Sequence, residues 1–156
     1  MTQIMGVGLL LAAAMAVVIR LRKDENIYVR ALQCALAIVK HTERKIRLYD
    51  SPTEDILRDF DNSSTHKSFR ISGDMGFEEA VKPILNILRG QEQTVFAQFV
   101  EKLGRGYKDD ALKLCEFTLV CLEERTARAE AEHPSRLKLY TALPIMFAVS
   151  VLVLIL

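Results

Sequence analysis

The charges of this chain are confined to its middle. All 21 Lys and Arg residues and all 20 Asp and Glu residues lie between Arg20 and Lys138, so 1–19 and 139–156 carry none. A segment without charge has no side chain that holds it in water, so the ends and the middle must meet different surroundings. About a third of the middle is charged, which a helical globular domain tolerates. Three cysteines in 156 residues exclude a disulfide scaffold, and seven glycines exclude a collagen-like repeat. The formal net charge of +1 provides no general attraction for nucleic acid, and no basic-aromatic interleaving is present.

The first end reads IMGVGLLLAAAMAVVI from Ile4 to Ile19. With Met1–Gln3 it gives roughly 28 Å of helix at about 1.5 Å per residue, enough to cross a bilayer core. A secretory signal would place its basic residues before the apolar run. Here Arg20, Arg22 and Lys23 follow it, so an uncleaved membrane helix is expected. The other end, Tyr140 to Leu156, reads YTALPIMFAVSVLVLIL and gives about 26 Å. Arg136 and Lys138 precede it at headgroup depth, with Tyr140 at the interface. Pro144 removes one backbone bond there and is expected to bend that helix. Lys and Arg resist translocation, so the basic residues after the first run and before the second predict a cytoplasmic middle, with both termini on the far side.

Within the middle, Ile27, Ala31, Leu32, Ala35, Ile38 and Val39 recur at intervals of three and four, predicting an amphipathic helix that continues from the first run. Asp50-Ser51-Pro52-Thr53-Glu54 is a helix-start signal: Ser51 as cap, Pro52 at the first helical position and Glu54 closing a capping box. A second helix is expected there, carrying Ile56, Leu57 and Phe60 inward. Asp61–His66 reads as a polar turn and Ser72–Gly76 as another break. Phe77–Leu88 is expected to be helical despite Pro83, ending at Gly90. Thr94–Leu103 places Val95, Phe96, Phe99, Val100 and Leu103 on one face and is expected to end at Gly104. Asp109 or Asp110 then caps a long helix with Ala111, Leu112, Cys115, Leu119 and Leu122 inward. Pro134 is expected to kink or interrupt it. No alternating strand pattern appears. The expected fold is all-α: a membrane-tethered helical bundle domain, 20–139, between an N-terminal transmembrane helix, 1–19, and a C-terminal one, 140–156.

No P-loop, GxGxxG, HExxH or nucleophile elbow is present, so the backbone cradles and metal geometries of those chemistries are missing. His41, His66 and His133 are scattered, and His41 and Glu43 point to different sides of a helix. Cys115 and Cys121, six apart, are also poorly aligned and read as packed small apolar residues, and in a cytoplasmic compartment Cys34, Cys115 and Cys121 need no pairing. The neighbouring pairs Glu78-Glu79 and Glu123-Glu124 are splayed on their helices and read as solvated faces. No catalytic, cofactor-binding or metal site is expected. The mixed-charge face of Lys40, Glu43, Arg44 and Arg47 is the candidate partner-contact surface, with the Glu123–Glu132 stretch as another. Gly6, Gly8, Ala12, Ala13, Ala14 and Ala16 permit close packing of the first span against another helix, including the last span of the same chain.

The segment from Ala31-Leu32-Gln33 through Ile46 to Pro52, the run Phe96 through Leu103-Gly104, and Arg136-Leu137-Lys138-Leu139-Tyr140 together resemble the stage III sporulation protein AB family, over essentially the whole chain. Two departures stand out: Tyr107 and Ala111 where the family tends to have Asp and Gln, and Ala142-Leu143-Pro144-Ile145 where the last span of the family starts glycine-rich. The resemblance implies a non-enzymatic subunit of the transenvelope complex between mother cell and forespore. Its location would be the mother-cell membrane around the forespore. The family's cytoplasmic region is similar to the helical domains of the type II secretion and type IV pilus inner-membrane platform protein. By that fold-level analogy its partners would be the ATPase of the complex, stage III sporulation protein AA, and the other membrane subunits of the channel, with a homo-oligomer possible. The competing expectation is a membrane-tethered regulator that sequesters a soluble cytoplasmic partner.

Overall fold

A computed structural model of the chain describes residues 2–49, 60, 69, 76–103, 105 and 107–155; within its helices the side chains of 2–11, 49, 148, 152, 154 and 155 are outside the description. It contains four α-helices, α1 (Thr2–Tyr49), α2 (Phe77–Leu85), α3 (Gly90–Lys102) and α4 (Lys108–Ile155), and no strand among the described residues. The all-helical expectation is met. The chain divides into two compact units: residues 1–27 with 129–156, and residues 28–128.

In the central unit the expected apolar stripe is buried: Ala31, Leu32, Ala35, Ile38 and Val39 have no exposed surface, and Cys34 joins them. Thr42 extends this buried face because its hydroxyl donates to the Ile38 carbonyl at 2.8 Å, satisfying itself within the helix. From α2 come Ala80, Val81 and Ile84, and from α3 Val95, Phe96 and Phe99. Phe99 sits edge-on to Phe77 with ring centres 6.3 Å apart and stacks on Phe96 at 6.0 Å. From α4 come Cys115, Thr118 and Leu122, all buried, while Ala111, Leu112 and Leu119 are half-buried.

Two boundaries and the course of α4 differ from expectation. Regular helix α2 ends at Leu85; the backbone then turns, with Leu88 N–H donating to the Ile84 carbonyl at 3.0 Å. Gly90 does not close α2 but opens α3, at φ +64°, a left-handed conformation in which a Cβ is strained. At the end of α3, Leu103 leaves the helix in an extended conformation, ψ 126°, and is buried. The third difference is Pro134, which neither ends nor interrupts α4. Pro134 is exposed, so the hydrogen bond it forfeits lies on the solvent side, where water replaces it. The Ser51–Glu54 capping box, the helix beginning there, the 61–66 turn, the Ser72–Gly76 break up to Met75, and Gly104 lie outside the described residues, apart from Phe60, which is half-buried and edge-on to His41 at 5.2 Å.

The terminal unit is built from α1 and α4 running antiparallel. Ala14, Val18 and Glu25 of α1 and Leu137, Tyr140, Thr141, Pro144 and Val151 of α4 are among its partly or fully buried positions. Their spacing of three, four and seven is the seam of a helix pair. Ala13, Ala14 and Val17 face Leu143, Phe147 and Val151 across a cleft of about 500 Å³. Among the described residues no helix is long and apolar enough to cross a membrane. The first apolar run falls largely on residues 1–11, whose side chains lie outside the described residues, as do those of 148, 152 and 154–156 in the second. Helix formation at both ends is therefore observed; membrane crossing is a separate matter.

Candidate partner-contact surface

Lys40, Glu43, Arg44 and Arg47 follow one another at intervals of three, one and three, which puts them on one face of α1. Lys40 Nζ reaches Glu123 of α4 at 2.7 Å, and the Arg47 guanidinium meets Glu43 at 2.7 Å and Glu116 of α4 at 3.6 Å. Arg44 is exposed. The face is thus one side of a polar seam between α1 and α4, and any partner docking there would meet both helices. Most of these side chains are about half exposed, so each pair contributes little to stability. Glu78, Glu79, Glu123 and Glu124 are all exposed, as solvated faces should be.

A second polar cluster was not visible in the sequence. Glu92, in the first turn of α3, is 7% exposed. Its carboxylate accepts a hydrogen bond from the Tyr28 hydroxyl and lies 3.9 Å from Arg125 Nε. Arg125 also donates to Gln91 Oε1 at 2.8 Å, and the Arg89 guanidinium sits over the Tyr28 ring at 5.9 Å. An acid in the first turn is favoured by the helix dipole, and that was the only local signal for Glu92. What makes it a buried acceptor is the approach of α1 and α4, 64 and 33 residues distant in sequence, which no local pattern announces. The cluster ties three helices together around a satisfied carboxylate.

In the terminal unit a ladder of polar bonds joins α1 to α4. Arg22 donates to the Thr141 hydroxyl at 2.6 Å, Arg136 to the buried Glu25 carboxylate at 3.4 Å, and His133 pairs with Asn26 at 2.8 Å. Arg136 also donates to Glu132 at 2.6 Å, a bond that pushes its already high pKa further up. The basic residues expected beside the second apolar run are therefore partly engaged with α1. A family model for stage III sporulation protein AB matches residues 3–156. The chain belongs to that family. No curated protein and no solved structure matches it.

As a member of the stage III sporulation protein AB family, the chain is a stage III sporulation protein. Cys34, Cys115 and Cys121 form no disulfide. Burial pushes the Cys34 thiol up to about 12 and the Cys115 thiol up to about 11, the latter helped by the charges of Glu43 and Glu116. Both are packed core groups with little nucleophilic character at neutral pH. Among the described residues no three His, Cys, Asp or Glu side chains converge as a metal site would require.

Proposed function

We propose that this chain is a non-enzymatic platform subunit of the sporulation transenvelope complex. In this reading residues 1–19 and 140–156 anchor it in the mother-cell membrane, and residues 20–139 face the cytoplasm and engage the ATPase of the complex, stage III sporulation protein AA. The observation that carries it is the character of the terminal unit. It gathers both apolar ends of the chain, and Met15, Ile19, Met146, Phe147 and Val153 are each more than 60% exposed there. Large apolar side chains turned outward on a helix pair are costly in water and favourable in lipid. Basic side chains flank each run on its inner side only, which favours the orientation stated.

Anchoring a domain at both ends also removes part of its motional freedom. A partner that docks on it then loses less entropy than on a freely tumbling domain.

The test is purification of the tagged full chain from sporulating membranes in mild detergent, with stoichiometry measured by quantitative mass spectrometry. A fixed ratio with the ATPase and the channel's membrane subunits is expected. Recovery of one soluble protein without any membrane subunit would replace the platform by the sequestering regulator. Digestion of residues 20–139 by a protease confined to the side of that membrane away from the mother-cell cytoplasm would overturn the topology.

A further inference from the structure

Helix α4 has apolar side chains on two opposed faces. Cys115, Thr118 and Leu122 are buried in the central unit, yet Phe117 and Val120 are 59% and 66% exposed. A helix in a water-facing domain carries one apolar stripe, and an exposed apolar pair on the opposite side is open to a second contact. Beside Phe117 the surface is concave, a cleft of about 450 Å³ floored by Ala111, Leu114 and Phe117. Its rim carries Lys102, Arg105 and Lys113 against one acid, Asp110.

Of the neighbouring acids, Asp109 is exposed and Glu101, Glu116, Glu123 and Glu124 are each paired with a cation. Glu116 and Glu123 of α4 turn to α1, where Arg47 and Lys40 meet them, and Glu101 lies beside Arg105 at 3.5 Å. Lys102 and Lys113 are left flanking an apolar floor.

We propose that this face binds an acidic amphipathic segment of a protein partner, with apolar side chains seated on Phe117 and Val120 and carboxylates meeting Lys102 and Lys113. A lipid surface fits less well: a bilayer is too flat to reach the floor of the cleft. The proposal goes beyond the platform reading because it does not depend on which subunit supplies the segment.

The experiment places a benzophenone-bearing photo-crosslinking residue at position 117 of the full chain in sporulating host membranes and sequences the adducts. Position 117 is exposed, so the replacement leaves the core intact. The expected adduct is a segment of another protein with apolar residues three or four apart and Asp or Glu beside them. Its yield should fall at least about tenfold in Lys102→Glu/Lys113→Glu, the equivalent of ~1.4 kcal/mol. It should stay unchanged in Lys82→Glu, an exposed change on α2, and recover when the contacted acid of the partner is made Lys. An adduct with lipid, with a second copy or with the chain itself overturns the proposal, as does no adduct or one indifferent to the charge reversals. An acidic segment from a protein other than the ATPase, with no ATPase copurifying, upholds this surface and overturns the platform reading. Copurifying ATPase without an adduct at 117 does the reverse.

Discussion

The same two helices serve two units in opposite ways. In residues 28–128, α1 and α4 turn most of their apolar side chains inward: Leu32, Ile38, Val39 and Leu122 are completely buried, and Phe117 and Val120 are the exceptions on α4. In residues 1–27 and 129–156 the same helices turn large apolar side chains outward, with Phe147 at 70% exposure, and keep a carboxylate, Glu25, inside. Helix continuity therefore says nothing about which way a helix faces. The hydrophobic effect makes the core of the central unit, where four helices converge; a pair of helices has no interior large enough to do so, and polar bonds set its alignment.

The sharpest way to break this contrast is to remove one ring from each unit. Phe99→Ala should cost about 3–5 kcal/mol, because the ring is fully buried between Phe77 and Phe96 and leaves a cavity. Phe147→Ala, exposed in the terminal unit, should stay within about 0.5 kcal/mol. Denaturant unfolding of both variants in one detergent measures this; equal losses would mean that the outward-facing ends also pack a core.

A smaller effect separates the two buried carboxylates. Tyr28→Phe removes a donor from Glu92, itself 7% exposed, and should cost about 1.5–3 kcal/mol. Glu25→Gln should cost less, about 1 kcal/mol, since its partner Arg136 is half exposed and retains Glu132. A reversed order in the same unfolding experiment would make the polar ladder of the terminal unit the stronger element.

All three cysteines lie in the central unit, so the cysteine-dependent part of any alkaline sensitivity reports on that unit. Cys34 and Cys115 hold their protons to about 12 and about 11 when folded, whereas an unfolded thiol loses its own near 9. Between these values the native state binds more protons, so stability is untouched below pH 9 and declines above it. The slope is about 1.4 kcal/mol per pH unit for each thiol. Unfolding midpoints at pH 8–11 should fall less steeply in Cys34→Ala/Cys115→Ala than in the parent, while half-buried Cys121 alkylates first in the native protein. The smallest expected change is Lys40→Ala. Its pair with Glu123 is about half exposed on both sides, and a loss beyond about 0.5 kcal/mol in thermal unfolding would show that the α1–α4 seam is structural.

Much of this was legible beforehand. The spacing of Ala31, Leu32, Ala35, Ile38 and Val39 identified the buried face of α1, and Val95, Phe96 and Phe99 that of α3, because periodicity is local and follows from 3.6 residues per turn. The burial of Glu92 was not legible, nor was the second apolar face of α4 at Phe117 and Val120: each is defined by what a distant segment does or does not cover. The Lys40–Arg47 face was named as a surface, but its acidic partners, Glu116 and Glu123, lie about 70 to 80 residues further along the chain. Pro134 shows the limit from the other side. Its local preference is to break a helix, and an exposed position in a long packed helix lets the chain continue through it.

By itself the sequence determined the helical class, the confinement of charge to the middle and the family, because each is written in residue types and their spacing along one strand of chain. Tertiary structure decided which acids are buried, which cations are paired, where α2 gives way to α3 at Gly90 and which face of α4 stays open. Those depend on desolvation and on contacts between segments far apart in sequence, and only the packed chain brings them together.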